Sequence, residues 1–249
     1  MINKKMFVNG QWTEALSGKT RDIINPFNRE SIARVSEGDR EDAKRAVKAA
    51  RQAFDAGVWP YTPGSERGEL IHALGRLIER DRQELAELET LDTGKTIEES
   101  RWDMDAVAGI FKYYAGLADK NHGEAIESPL PETSSRVVRE PVGVCAQISP
   151  WNYPLLQASW KMAPALGAGC TIVMKPSSIT PLTTIKVTEL AEEAGFLPGV
   201  VNLVLGPGSG PGAELAESLD VDLVSFTGGI ETGRKIMQAA SKNIKKIAL

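Results

Sequence analysis

Histidine and cysteine are scarce in this chain, two of each in 249 residues, and that scarcity excludes several chemistries. His72 and His122 lie in no cluster of metal ligands, so no zinc site is expected. Cys145 and Cys170 are too few for a disulfide framework. Each belongs to an apolar run, Val142-Gly143-Val144-Cys145-Ala146-Gln147-Ile148 or the entry to Thr171-Ile172-Val173-Met174. Cysteine in such a run behaves as a small apolar residue. Neither has an evident base beside it to lower its pKa, so packing is expected of both. Long hydrophobic runs are missing too, and none approaches the ~20 residues of a membrane helix. The opening Met1-Ile2-Asn3-Lys4-Lys5-Met6-Phe7 has basic residues but no apolar segment after them, which gives no signal peptide and an expected cytoplasmic location. Positive charge is not in surplus: 29 basic against 33 acidic residues leave a net −4, which argues against a nucleic-acid partner.

What is present is the make-up of a globular protein, 42% hydrophobic and 25% charged, with length for one large domain or two ordinary ones. Phe7-Val8, Asn9-Gly10 and Gln11-Trp12 form a hairpin signal, and Asp22-Ile23-Ile24-Asn25-Pro26 is a short extended run. From Asp39 the period becomes helical, with Ala43, Ala46, Val47, Ala50 and Phe54 on one face. A second helix is expected over 65–89 and a third over 96–117, parted at Thr93-Gly94. Residues 124–141 are polar and proline-rich, then briefly alternating, and read as an exposed hairpin arm. Beyond them, strand-like runs at 142–148, 171–175, 200–205, 222–226 and 244–249 alternate with helical stretches at 155–166, 182–194, 212–218 and 231–240. That βα repetition gives an α/β fold, a parallel sheet with helices on both faces. The last strand stops at Leu249 without a turn or cap, so the chain is expected to be truncated there.

In an open parallel sheet, ligands bind beyond the carboxyl ends of the strands, and the distinctive motifs fall there. Ser149-Pro150-Trp151-Asn152-Tyr153-Pro154 follows the first strand, either as a proline-stiffened turn or as a site where Asn152 offers an amide donor. Lys175-Pro176-Ser177-Ser178 follows the second, its lysine reaching either the surface or a ribose or phosphate. The loop 206–212 carries Gly206, Gly208 and Gly212 ahead of a helix, and Phe226-Thr227-Gly228-Gly229 opens the next one. Glycine lets backbone N–H groups approach an anion at a helix start, although the spacing is not GxGxxG.

Together these motifs resemble the aldehyde dehydrogenase superfamily, in its order and at its spacing, over essentially the whole chain. The resemblance implies a variant Rossmann fold with additional N-terminal helices and a protruding arm. It implies a dinucleotide-binding domain of residues 1–123 and 142–249, with 124–141 as the oligomerisation hairpin of a homodimer or homotetramer. NAD or NADP would meet Ser149, Pro150, Trp151, Asn152, Lys175, Ser177, Ser178, Gly206, Gly208, Gly212, Phe226, Thr227, Gly228 and Gly229. Asn152 matches the donor to the oxyanion, and Lys161 a lysine proposed to relay protons. Ile24, Asp92 and Ile179 match a monovalent-cation site, K+, while helix capping serves Asp92 equally well. Ser178 departs from the glutamate common in NAD-preferring members. The general base, in a Glu-Leu-Gly-Gly segment, would follow Leu249, and the cysteine nucleophile lies further on. The 249 residues alone are therefore expected to be inactive, and a non-catalytic cofactor-binding fragment is an alternative.

Within the superfamily, Tyr153 through Lys161 and the stretch from Phe226 to Leu249 look most like betaine aldehyde dehydrogenases. The implied reaction is NAD(P)-dependent oxidation of a small aldehyde to its acid through a thioester, betaine aldehyde to glycine betaine. Tyr153 and Trp160 are seven apart, which places two helical turns between them and both rings on nearly one face. Such rings either bind a trimethylammonium group or pack against another domain. ω-Aminoaldehyde and semialdehyde dehydrogenases share parts of the pattern.

Overall fold

The computed structural model describes residues 2–249. Five short strands come first: β1 (Ile2–Lys4), β2 (Met6–Val8), β3 (Gln11–Thr13), β4 (Thr20–Ile24) and β5 (Ser31–Ser36). Four helices follow, α1 (Arg40–Asp55), α2 (Gly64–Arg80), α3 (Arg82–Thr93) and α4 (Ile97–Leu117). The strands β6 (Glu124–Ile126) and β7 (Ser135–Val137) then pair antiparallel as a separate, exposed hairpin where an arm was expected.

The remainder alternates: β8 (Val144–Ile148), α5 (Pro154–Gly167), β9 (Thr171–Lys175), α6 (Leu182–Glu193) and β10 (Val201–Leu203). A π-helical turn at Gly208–Gly212 runs into α7 (Ala213–Glu217), and β11 (Leu223–Phe226), α8 (Ile230–Ala240) and β12 (Lys246–Ala248) complete the chain. The main sheet has the order β12-β11-β8-β9-β10-β2-β3, parallel from β12 to β10. Helices α1, α7 and α8 lie together on one face, α5 and α6 on the other, and α2, α3 and α4 pack outside α5 and α6. The α/β reading is thus borne out, including the helices on both faces. Among the described residues no helix is long and apolar enough to cross a membrane.

Local chemistry accounts for the element ends. Asp39 caps α1 by accepting from Glu41 N, while Asp42 accepts from the Asp39 N–H, a reciprocal capping box. Asn9 and Gly10 both have positive φ (52° and 74°), the requirement of the two-residue hairpin between β2 and β3. That hairpin extends the main sheet, because β2 pairs with β10 and the Asn9 N–H donates to Asn202 Oδ1 at 3.0 Å. The helix expected over 65–89 is two helices that break at Asp81. Asp81 leaves helical geometry (φ −95°, ψ 16°), its carboxylate held by Arg80 at 2.7 Å and near Lys186 at 3.6 Å. Aspartate is a mild helix former, so this tertiary pull left no mark in the local pattern. The small sheet β1-β5-β4 was likewise invisible as a unit, since its first strand has three residues and pairs across some thirty intervening ones.

Gly206 shows how tightly two segments cross beneath the motif loops. Its φ is +136°, and a Cβ there would stand 2.3 Å from the Gly38 carbonyl oxygen. The Gly38 N–H in turn donates to the Leu205 carbonyl at 3.0 Å. Gly206→Ala should cost about 2–3 kcal/mol through backbone strain. Gly208→Ala, with nothing within 4 Å of the added methyl, should stay within about 0.5 kcal/mol. Urea unfolding of both variants checks this, and equal losses would mean that the crossing is not rigid.

Candidate active site

The sheet order places β8 beside β11, although β9 and β10 intervene in sequence. Between these neighbours the crossovers switch face, and the loops after β8 and β11 part to leave a crevice. Ile148 is paired with Phe226 and also with Lys175, so three strands end level. The Thr227 N–H donates to the Ile148 carbonyl at 3.1 Å, and the Ser149 N–H donates to the Lys175 carbonyl at 3.3 Å. Ser149 is buried, Pro150 half-buried, and Trp151 and Asn152 are exposed at the crevice. Tyr153 and Pro154 then start α5, with proline at the first helical position where an N–H is not needed.

Lys161, two turns into α5, reaches back to the opposite wall. Its Nζ donates to Thr227 Oγ1 at 2.8 Å and to the Gln157 carbonyl at 3.1 Å. No carboxylate is bonded to it, and burial pulls its pKa down to about 8. Gln147 steadies the same turn, donating through Nε2 to the Lys161 carbonyl at 2.8 Å. The sequence named Lys161 and Thr227 separately; the structure brings them together.

Lys175, at the end of β9, is also buried, and its Nζ donates to the Pro176 carbonyl at 2.9 Å. Burial lowers its pKa to about 8, against the weaker raising pull of Glu37. Its stem borders Gly212, whose added Cβ would lie 3.6 Å from the Lys175 Cδ. The surface reading of this lysine is excluded. Ser177 and Ser178 are half-buried just beyond it. The glycines divide into two kinds. Gly206 and Gly212 are buried and packed, whereas Gly208, Gly228 and Gly229 are exposed. Gly229 also caps α8 without any side-chain bond, so the first N–H groups of that helix are free for an anion.

The aromatic pair departs from expectation. Helix α5 begins at Pro154, and Tyr153 precedes it with φ −133° and ψ 63°. The two-turn argument therefore fails for Tyr153, whose side chain is turned toward α4. Its hydroxyl donates to Glu99 Oε1 at 2.7 Å, and that carboxylate holds the phenol above its usual pKa. A recess of about 470 Å³ lies there, lined by Thr96, Glu98, Glu99, Trp102, Asp103 and Tyr153. Trp160 is 51% exposed. Glu99 and Trp102 were not anticipated; both sit on the exposed face of an amphipathic helix, where periodicity carries no functional signal.

Asp92 is buried in the last turn of α3, and its Oδ2 accepts from the Leu182 N–H at 2.8 Å, so it caps the start of α6. Its Oδ1 is buried without a protein partner, and burial pushes its pKa well up. Ile179 lies three residues before Leu182, and Pro26, two residues after Ile24, abuts Gly94.

Compared with known proteins, residues 12–249 match the model of the aldehyde dehydrogenase family. The chain belongs to the aldehyde dehydrogenase family. It is 64% identical over 248 residues to betaine aldehyde dehydrogenase of Bacillus subtilis, covering 100% of this chain and 51% of that protein. It is 50% identical over 249 residues to human mitochondrial aldehyde dehydrogenase, covering 98% and 48% of the two chains. A crystal structure of Staphylococcus aureus betaine aldehyde dehydrogenase in complex with NAD+ superimposes with a TM-score of 0.97 at 56% identity, covering 99% of this chain and 49% of that one. The chain spans about half the length of the relatives it matches.

In this aldehyde dehydrogenase both cysteines sit away from the crevice. Cys145 is three residues before the end of β8, roughly 10 Å from the carboxyl edge of the sheet. Cys170 immediately precedes β9 and so stands at the amino edge. Both are buried, and a bond to Cys170 together with desolvation pushes the Cys145 thiol up.

Lys175 gives the site a pH signature. A lysine whose folded pKa is lowered to about 8 from 10.5 destabilises the fold below pH 8, and the penalty fades as pH rises toward 10.5. The shift corresponds to about 3–4 kcal/mol. Lys175→Met should therefore be more stable than the wild type at pH 7, the difference shrinking by pH 10. Urea unfolding across that range decides it; a gap that does not change with pH would mean that burial does not lower the Lys175 pKa.

Proposed function

We propose that residues 1–123 and 142–249 form the dinucleotide-binding part of an NAD(P)-dependent dehydrogenase that oxidises betaine aldehyde to glycine betaine. The observation that carries this reading is the crevice at β8 and β11, where Lys161 meets Thr227 and the loop after β8 carries Asn152. The NAD+ held by the Staphylococcus aureus relative points to the same cofactor here. The residues fit a dinucleotide: Gly208 and Gly229 are open, Gly228 is exposed with its α-carbon against the Phe226 ring, the α8 N-terminus has no side-chain cap, and Lys175 brings a buried cation with no carboxylate bonded to it among the described residues. The glycines and the α8 N-terminus suit a pyrophosphate and Lys175 a ribose, with Ser177 and Ser178 beyond it. Ser149, Pro150, Trp151, Gly206, Gly212 and Phe226 shape the walls. The bound nicotinamide would accept a hydride; the remaining work is done by protein groups.

Asn152 presents its amide to the carbonyl oxygen of the substrate and stabilises the charge that develops there, an effect worth about 10²–10³ in rate. Lys161, which burial makes readier to give up its proton than an ordinary lysine and which is bonded to Thr227, is suited to pass a proton along the crevice wall. Cys145 and Cys170 lie at the wrong places for attack, so the nucleophile and base of a thioester mechanism belong to the half of the family's length that these residues do not span. The arm at 124–141 joins copies into a homodimer or homotetramer, and the enzyme works in the cytoplasm. The Ile24 and Ile179 carbonyls with Asp92 Oδ1 would hold K+, an oxygen donor set that suits a hard cation and relieves the orphaned carboxylate. Tyr153 and Trp160 receive the quaternary ammonium.

Two measurements on the full-length enzyme test this. The first compares betaine aldehyde with 3,3-dimethylbutanal, in which carbon replaces the quaternary nitrogen. Trp160→Ala should lower kcat/KM for the charged substrate more, by roughly 0.5–2 kcal/mol, because only that substrate loses a cation–π partner. Equal losses would turn the assignment toward an uncharged aldehyde. The second concerns Ser178, which is small and neutral, so no carboxylate repels a 2′-phosphate. NADP should be used appreciably beside NAD, and Ser178→Glu should shift preference to NAD; an unchanged ratio of kcat/KM would dismiss residue 178 as a reader of the ribose.

A further inference from the structure

Behind Tyr153 lies a buried cation that the proposed reaction leaves without a task. Lys95, in the turn between α3 and α4, has 8% of its side chain exposed. Its Nζ stands 2.6 Å from Asp103 Oδ2, 3.5 Å from Glu89 Oε1, and 4.2 Å from the centroid of the Tyr153 ring. The ring is therefore fixed at two points by different elements, an ammonium against one face and the Glu99 carboxylate at its hydroxyl.

A phenol ring has two faces that attract cations, and Lys95 takes one of them. The hydrogen bond to Glu99 polarises the phenol toward phenolate, which strengthens the pull of the remaining face. A second cation there would ordinarily be repelled by the first. Here the Lys95 charge is balanced by Asp103, and Glu99 adds a further carboxylate at the rim. The local charge stays negative even when Glu89 is protonated.

We propose that Lys95 is a positioning residue for the cationic end of the substrate, setting the Tyr153 ring so that one face alone is offered to a quaternary ammonium. The proposal rests on the reading of Tyr153 as a substrate-binding residue. The competing role is structural: Lys95 would only neutralise Glu89 and Asp103.

A double-mutant cycle in the full-length enzyme separates the two, with KM and kcat measured for betaine aldehyde and 3,3-dimethylbutanal. Lys95→Met should raise the KM for betaine aldehyde roughly 5–20-fold relative to the neutral aldehyde, with kcat changed less than about threefold. In a Tyr153→Leu background the same substitution should add little, because its effect passes through the ring. Equal losses on both substrates, or a full effect added to Tyr153→Leu, would overturn the proposal. Since Lys95→Met strands two acidic side chains, Lys95→Arg gives a second reading that keeps charge and stacking. Its KM for betaine aldehyde should stay within about threefold of wild type, and a tenfold rise at unchanged Tm would count against Lys95. If Tyr153→Leu itself leaves the ratio between substrates unchanged, the substrate reading fails. If it lowers the ratio and Lys95→Met does not, the role of Lys95 alone fails.

Discussion

A crossover between parallel strands is right-handed, so a chain that runs outward from β8 through α5 and β9 must lay α5 and α6 on one face of the sheet. When it returns past β8 to form β11, the next helices fall on the opposite face. The two loops at the reversal diverge and leave a gap between them. Everything functional depends on that gap. Asn152 enters from the β8 loop, Thr227 from the β11 loop, and Lys161 spans the two. The backbone bonds that level the three strand ends, through Ile148 and Lys175, fix the loops at one height. The site is thus a consequence of topology before it is a matter of side chains.

How much of this was legible in the sequence follows from how local each feature is. The alternation of strands and helices from 142 onward is carried by local periodicity, and the elements fall where it puts them. The capping at Asp39 and Thr96 and the turn at Asn9-Gly10 are equally local. The break at Asp81 was hidden because it depends on Arg80 and Lys186. The orientation of Tyr153 was hidden for a similar reason. Seven-residue spacing describes a helix, but the residue before a first-position proline is outside it, and Pro154 starts α5. The same spacing argument also omitted α4, the element that holds the tyrosine. Glu99 is 54 residues away in sequence, and a half-buried glutamate on a helix has no pattern that marks it.

The glycines make a related point about motif reading. Five of the six glycines in the two loops resemble a cofactor signature equally well on paper. In the fold, Gly206 is required by the Gly38 carbonyl and Gly228 by the Phe226 ring, so their small size is explained without a ligand, while Gly212 has the Lys175 stem at ordinary contact distance. Gly208 and Gly229 have nothing within 4 Å, and only for them does the absence of a side chain lack an internal reason. Open space around a glycine is therefore the more telling observation, because packing has no use for it.

The buried amines sort the chain's charges by purpose. Lys245 donates to the carbonyls of Ala216 and Ser218 at the end of α7, a helix terminus whose dipole favours a cation. Lys95 has Asp103 and Glu89. Lys161 and Lys175 have only carbonyls and a hydroxyl among the described residues, and burial draws both toward neutrality at the strand ends, as it does Lys245 at the end of α7. Burying a cation with so little compensation lowers stability, and a purely structural position would be better served by an apolar residue of similar size. The two under-compensated amines both edge the crevice, one beside Thr227 and one beneath the loop at Gly212. Their placement is what the proposed dinucleotide site calls for, a partner from outside the chain with hydroxyl or anionic oxygen to meet them. The fold carries that desolvation cost before the ligand binds, so less reorganisation remains when it does.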